Sequence, residues 1–157
     1  MDPAALMALA RHSVEVATIR AFQQRSNATR VVLLLDTPDQ PTMLESDSDG
    51  GIAITEGDAV AFIPNTAAIP APPKPLPEIR PAPASAIHID TDTGELAAPI
   101  GTVEHLASST LALAQAFGGL TVATAEFATD DAELPITFAA REGERVVLAA
   151  GDAQFEL

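Results

Sequence analysis

The chain has 157 residues, 47% of them hydrophobic, and no cysteine. This length is enough for one ordinary domain with a substantial core, and the lack of cysteine excludes disulfides and thiolate chemistry. The formal net charge of −14 disfavours contact with nucleic acid and anionic membranes, and no apolar run is long enough to span a bilayer, so we expect a soluble, cytoplasmic protein.

The first third of the chain predicts a helix and then a strand. Asp2 followed by Pro3 is typical of a helix start, because Asp caps free N–H groups and Pro needs no partner at the first helical position. We expect a helix from Pro3 to about Gln24, with three residues facing inward: Leu9, Val16 and Ile19. The run RVVLLLD, residues 30–36, is typical of a strand that is buried on both faces.

Residues 41–63 predict three short strands joined by tight turns. PTMLES and GIAITEG flank the turn DSDG, and DAVAFI follows Gly57. The composition changes at Pro64: residues 64–84 contain eight of the thirteen prolines and show no apolar periodicity. Such a segment favours extended conformations, and we expect an exposed connector.

The remaining residues, 85–157, predict a hairpin, a second helix and four strands. AIHID and ELAAPI flank the turn TDTG, and Thr102 caps a helix that begins at Val103 and that Gly118 and Gly119 end. The segments LTVATAEFA, LPITFAA, RVVLAAG and DAQFEL then have strand character.

The two ends of this pattern are similar to each other. At an offset of 94 residues, DAVAFI lies over DAQFEL, and Gly57 pairs with Gly151 and Asp58 with Asp152. We therefore predict an α+β protein of two αβββ units with antiparallel sheet, residues 1–63 and 85–157, joined by a proline-rich connector, residues 64–84. The element order is similar to that of secretion-chaperone-like proteins and of the half-domains of DNA sliding clamps, which is an analogy of fold and implies no function.

The stretch ESDSDGGIAITE, residues 45–56, has the spacing of a calcium-binding EF-hand loop. Glu45, Asp47, Asp49 and Glu56 would be its metal ligands, and Gly50 stands at the position of the sharp turn. Two features favour a plain hairpin turn: Pro41 resists an entering helix, and the matching segment in the second half, REGE, lacks the same ligands. We therefore assign no metal site and keep calcium binding as an alternative.

Four arginines near the N-terminus make a second alternative. Residues 1–35 carry four basic and two acidic side chains, a local charge of +2 on an otherwise acidic chain. The arginines could contact the phosphates of DNA, as in an accessory protein of DNA metabolism. They are Arg11, Arg20, Arg25 and Arg30.

No pattern in the sequence predicts catalysis or a cofactor. The sequence has no phosphate-binding, nucleotide-binding or metalloprotease motif, and His12, His88 and His105 lack metal-ligand spacing. The carboxylates that could act as acid or base lie next to Gly, Pro or Thr and are explained as turn residues: Asp36, Asp39, Asp90, Asp92, Asp130 and Asp131.

We therefore interpret the protein as a non-catalytic protein-binding or assembly module. We expect neither a cofactor nor membrane contact. We expect an unidentified protein partner, and nucleic-acid binding only under the alternative above. A homodimer is expected, with helix faces or sheet edges as the contact surface, because a duplicated scaffold without catalytic motifs is typical of assembly.

Overall fold

The computed structural model describes residues 1–36, 40–73, 76–119 and 121–157. These residues form three α-helices, an antiparallel sheet of eight strands and a separate two-stranded hairpin. The helices are α1 (Pro3–Arg11), α2 (Ser13–Ser26) and α3 (Thr102–Gln115). The strands are β1 (Arg30–Leu35), β2 (Thr42–Ser46), β3 (Ile52–Glu56), β4 (Ala59–Ile63), β5 (His88–Ile89), β6 (Leu96–Ala97), β7 (Val122–Phe127), β8 (Ile136–Arg141), β9 (Val147–Ala150) and β10 (Ala153–Glu156).

The N-terminal helical segment is two helices. The backbone N–H of Ala5 donates to the Asp2 carboxylate over 2.7 Å and Pro3 is the first helical residue, which confirms the predicted start. The chain then leaves helical geometry at His12, with φ −122° and ψ 29°, before α2 begins. The expectation of one continuous helix is wrong, because α1 packs on β4 whereas α2 packs on β1 and β2, and one straight helix cannot follow both paths.

All eight strands of the large sheet are antiparallel to their neighbours, in the order β10-β9-β8-β7-β1-β2-β3-β4. β1 and β7 pair at the centre, with Val32 opposite Thr124, and the strands of the two halves follow outward on either side. The α+β class with an antiparallel sheet is confirmed. Each half contributes four strands to the large sheet, one more than the αβββ pattern, because β1 and β7 join the same sheet as the strands that follow them.

One face of the sheet is covered by the helices and forms the core. In β1, Val31 and Leu33 are fully buried, whereas Arg30 and Leu34 on the other face are exposed. The prediction that residues 30–36 are buried on both faces is therefore wrong, because the helices cover only one side. The predicted inward positions of α2 are confirmed, and the helices contribute buried side chains at Val16, Ile19, Phe22, Leu106 and Leu113, with Leu9 partly buried.

The described residues of the proline-rich run lie against the helical side of the molecule. The Arg20 guanidinium donates to the carbonyls of Pro64 and Ala67, over 3.3 and 2.8 Å, and the N–H of Ala82 donates to the Ser26 carbonyl over 3.0 Å. Five apolar side chains of the described run are buried in the core or pack on it: Ala67, Ile69, Leu76, Ile79 and Ala82. Much of the run is exposed, but it is attached at several points, and Lys74 and Pro75 lie outside the described residues.

The predicted hairpin after the run is confirmed. His88 pairs with Ala97 and Ile89 with Leu96, and Gly94 in the turn has φ +73°, a conformation that favours glycine. Of the helices in the described residues, none combines the length and the apolar character needed to cross a membrane.

Candidate functional site

The four residues of the calcium alternative are not brought together. β2 and β3 form the predicted hairpin, in which Glu45 lies opposite Ala53 and Glu56 lies opposite Thr42 at the far end from the turn. Since side chains alternate along a strand, Glu45 and Glu56 point to opposite faces of the sheet. Within the described residues, no group of three or more His, Asp or Glu side chains is placed to hold a metal ion.

The acidic turn of this hairpin uses its polar groups internally. One carboxylate oxygen of Asp47 accepts the N–H groups of Asp49 and Gly51, over 2.9 and 3.0 Å. Gly50 has φ +92°, which a side chain would strain. The turn is therefore held by its own backbone, in the way an Asx turn is.

Three of the four arginines of the DNA alternative contact other protein groups. Arg11 pairs with Glu56 over 2.6 Å, and Arg30 pairs with Glu45, so two of the calcium candidates neutralise two of the DNA candidates. Arg20 binds the backbone carbonyls described above. Arg25 is exposed near the end of α2. The four guanidinium groups do not present one common basic surface.

Each histidine has a structural neighbour. The His88 Nδ1 lies 3.0 Å from an oxygen of Asp130, whose other oxygen accepts the N–H of Ile89, and the pair ties the hairpin to the loop before β8. These hydrogen bonds lower the pKa of the Asp130 carboxyl. His105 Nε2 accepts the N–H of Arg80 over 2.9 Å, which fixes the end of the proline-rich run to α3.

Asp90 and Asp131, like Asp130, use their carboxylates to hold loop geometry. Asp90 accepts the N–H groups of Asp92 and Thr93, and these bonds lower its pKa. Asp131 accepts the N–H of Glu133 over 3.0 Å. Asp36 is exposed directly after β1, and Asp39 lies outside the described residues.

A polar cleft of about 460 Å³ lies between the end of α2 and the β2–β3 turn. Two of its polar side chains bond to the β2–β3 turn: Gln23 donates to the Asp47 carbonyl over 2.7 Å, and Asn65 donates to the Asp49 carbonyl over 3.0 Å. The cleft therefore joins α2, the turn and the start of the proline-rich run, and its hydrogen bonds explain it as a structural junction.

The most unusual surface is the side of the large sheet opposite the helices, which we call the open face. The register places Leu34 opposite Met43 and Val122 on this face, and Val60 and Phe62 of the edge strand β4 extend it. Leu34 is 44% exposed, Phe62 54% and Val60 67%. Further apolar side chains of the face are partly exposed: Val32, Met43, Ala53, Val122, Ala139 and Val147.

The open face is close to neutral although the chain is strongly acidic. Its strands carry two arginines and three glutamates on this side, which are Arg30, Arg141, Glu45, Glu126 and Glu156. Arg30 pairs with Glu45 on the face itself and lies opposite Glu126 on β7. Most of the excess negative charge therefore lies in loops and turns, away from the apolar rows.

Sequence reasoning missed the open face. Its signal was present in DAVAFI, where apolar residues occupy both alternating sets of β4: Ile63 is buried, and Val60 and Phe62 are exposed. RVVLLLD also has apolar residues on both sides and predicts a strand buried on both faces, whereas one face of β1 is exposed.

Comparison of the chain with protein-family models, with curated proteins and with solved structures finds no significant match.

Proposed function

We propose that the protein is a non-catalytic assembly module of the cytoplasm that forms a homodimer through the open face. The observation that carries the proposal is the exposure of Leu34, Val60 and Phe62 on one continuous sheet surface. Contiguous apolar surfaces of this kind mark contacts with other proteins, because water is released when they are covered. The expected contact surfaces were helix faces or sheet edges; the helices pack on the sheet through their buried faces, and the edge strand β4 contributes Val60 and Phe62 to the open face.

The charge of the open face is compatible with contact between two copies of the chain. A copy brings its own net charge of −14, so two copies repel each other unless the contacting surfaces are close to neutral. The open face meets that condition, and Arg141 together with Glu126 and Glu156 lets each copy place a cation against an anion of the other. In a two-fold contact each such pair occurs twice.

The dimensions also suit a dimer. Eight strands spaced about 4.8 Å apart and about five residues long give a flat footprint of roughly 570 Å². The accessible area of a surface with side chains exceeds its flat footprint, and a stable interface buries about 800 Å² on each partner. Two open faces would pack as stacked sheets about 10 Å apart, with the helices on the outside.

We further propose that residues 1–63 and 85–157 are copies of one unit and that residues 64–84 connect them. The support is that β2, β3 and β4 lie at nearly the same offset of 94 residues from β8, β9 and β10 as the sequence alignment requires. The central β1–β7 pair would then be the contact through which two units joined into one sheet.

The mass of the protein in solution tests the dimer. Sedimentation velocity across micromolar concentrations should give twice the chain mass, and Leu34→Lys should give the single-chain mass, because a charge at the centre of the face would be buried without a partner. Met7→Lys is the matched control: Met7 is 61% exposed on α1, away from the open face, so this variant should remain dimeric.

Circular dichroism must show native structure for both variants. A wild-type chain that stays monomeric at high micromolar concentration would overturn the homodimer. So would a natively folded Leu34→Lys chain that dimerises as the wild type does.

A further inference from the structure

A second apolar surface lies on the helical side of the sheet, at the opposite edge from β4. It is a groove of about 720 Å³ between the β5–β6 hairpin, the start of α3 and the strands β9 and β10. Five apolar side chains line it: Leu96, Val103, Leu148, Phe155 and Leu157. Phe155 is 46% exposed and Leu157 48%, so the groove offers uncovered apolar surface.

The groove exists because the two halves differ in their helices. In the first half, α1 lies over the edge strand β4, where Ala8 shares a small cavity with Ile54 and Ala61. In the second half, α3 packs on β7 and β8, and the short hairpin stands beside the edge strand β10. The groove therefore lies over β10, at the position that corresponds to the position of α1 over β4.

The strand offset makes this correspondence specific. Leu148 stands 94 positions after Ile54, and Phe155 stands 94 positions after Ala61. In the first half these two positions face α1, a helix of nine residues. In the second half their counterparts, Leu148 of equal size and Phe155 of larger size, face the groove. A short helix is therefore the shape that this surface accommodates.

The acidic side chains of the groove favour a basic helix as its ligand. Its lining includes Glu95, Glu104 and Glu156 and, in the part of the chain that the structure describes, no Lys, Arg or His. Those three glutamates form no ion pair with any other described residue. Because the register turns Glu156 toward the open face, a basic ligand would gain attraction mainly from Glu95 and Glu104, whereas an acidic one would be repelled.

We propose that this groove binds one amphipathic helix of a partner protein, with apolar residues on one face and Lys or Arg on its flanks. The apolar face covers Phe155 and its neighbours, as helices do in apolar grooves elsewhere, and the basic residues meet the glutamates at the rim. This site is separate from the open face and does not depend on the dimer.

The test uses a fluorescein-labelled model peptide that has Leu at helical positions i, i+3, i+4 and i+7 and Lys elsewhere. Fluorescence anisotropy with the full chain should show saturable binding, and circular dichroism should show that the peptide gains helix. Two control peptides separate recognition from simple charge attraction: a scrambled peptide of the same composition, and one with Glu in place of Lys. Both should bind at least about tenfold more weakly.

Protein variants locate the binding site. Phe155→Ser should weaken binding about tenfold, because it removes an aromatic anchor. Phe62→Ser is the matched control: it changes the same residue type at similar exposure on the open face and should leave peptide binding unchanged. Leu157→Ser should weaken binding in the same way. It takes the place of Phe155→Ser if Phe155→Ser does not give a native circular dichroism spectrum.

The charge contribution has its own pair of variants. Glu95→Gln with Glu104→Gln should weaken binding and reduce its dependence on salt, whereas Glu142→Gln with Glu144→Gln, which removes the same charge from the β8–β9 turn, should change it little.

Equal binding of the scrambled peptide would overturn the proposal. So would unchanged affinity in both groove variants, or an equal loss in Phe62→Ser. A monomeric wild-type chain that still binds the peptide would refute the open-face dimer and leave the groove proposal standing.

Discussion

The Arg11 guanidinium and the Glu56 carboxylate form an ion pair of two hydrogen bonds, with Nη2 2.6 Å from Oε1 and Nε 3.1 Å from Oε2. The pair joins the end of α1 to the end of β3, and the His12 Nε2 lies 3.3 Å from the same carboxylate. The hydrogen bonds from Arg11, supported by His12, hold the pKa of Glu56 below its ordinary value. This contact attaches α1 to the sheet.

Glu56→Gln should therefore lower the melting temperature at neutral pH, by about 1 to 3 °C for a largely solvent-screened pair. A lowered carboxyl pKa in the folded state adds stability above the unfolded-state pKa, and this stability is lost as the pH falls through the folded-state value. The difference between wild type and variant should thus shrink below about pH 4. Melting curves from pH 3 to 8 check this, and a constant difference across that range would contradict it.

Calcium should leave the melting temperature almost unchanged. Glu45 and Glu56 point to opposite faces and are paired with arginines, so the stretch cannot enclose a cation with enough oxygens. A real site at a hundredfold excess of calcium over its dissociation constant would stabilise the fold by about 2.7 kcal/mol. Calorimetric titration provides the second readout, and micromolar binding that Asp49→Asn abolishes would show that the loop binds calcium.

Duplex DNA should not bind above background at physiological ionic strength. A helix that contacts phosphates loses affinity steeply with salt, with a slope of about −0.9 for each contact. Here Arg11 and Arg30 are paired with glutamates, Arg20 binds carbonyls, and the chain carries a net charge of −14. A salt-sensitive gel shift that is lost in Arg11→Ala with Arg20→Ala would instead support the DNA alternative.

Arg20→Ala should expose the proline-rich run to proteolysis. The guanidinium donates to two carbonyls of the run, and its loss frees the segment from α2. Digestion by a protease of broad specificity should then cut residues 64–84 faster than in the wild type. Arg25→Ala, which changes an exposed arginine of the same helix, should be cut at the wild-type rate, and equal rates in all three chains would show that Arg20 does not hold the run.

Phe138→Ala should cost about 3 to 5 kcal/mol of the free energy of unfolding, as the loss of a large core side chain does. Phe138 is fully buried in β8, and its ring meets Phe127 edge-on at a centroid distance of 5.8 Å. Phe62→Ala on the open face should cost much less in the monomer. Urea denaturation compares the two variants, and similar losses would show that Phe62 is also part of a packed core.

The local elements could be predicted well from the sequence. The start of α1 follows from Asp2 and Pro3, and both hairpins follow from glycine-containing turns between short apolar runs. These features depend on neighbouring residues, because a cap or a tight turn is built from groups only a few positions apart.

The candidate surfaces could not be predicted in the same way. RVVLLLD indicated a strand with two buried faces, but only the arrangement of the helices decided that Leu34 faces outward. Residues 45–56 likewise match the calcium-loop spacing in sequence, but the alternation of side chains along the strands places Glu45 and Glu56 on opposite faces.

The sequence by itself determined the turns, the Asp2 cap of α1, the apolar patterns of the strands and the acidic charge, since each depends on residue type and short-range geometry. Only the tertiary structure decided that β1 and β7 join the halves into one sheet and that α1 covers β4 while the corresponding place over β10 is a groove. It also decided that the three helices of the described residues all lie on one face of the sheet. The reason is physical: apolar side chains are buried by whichever elements pack over them, and that packing depends on contacts between residues far apart in the chain.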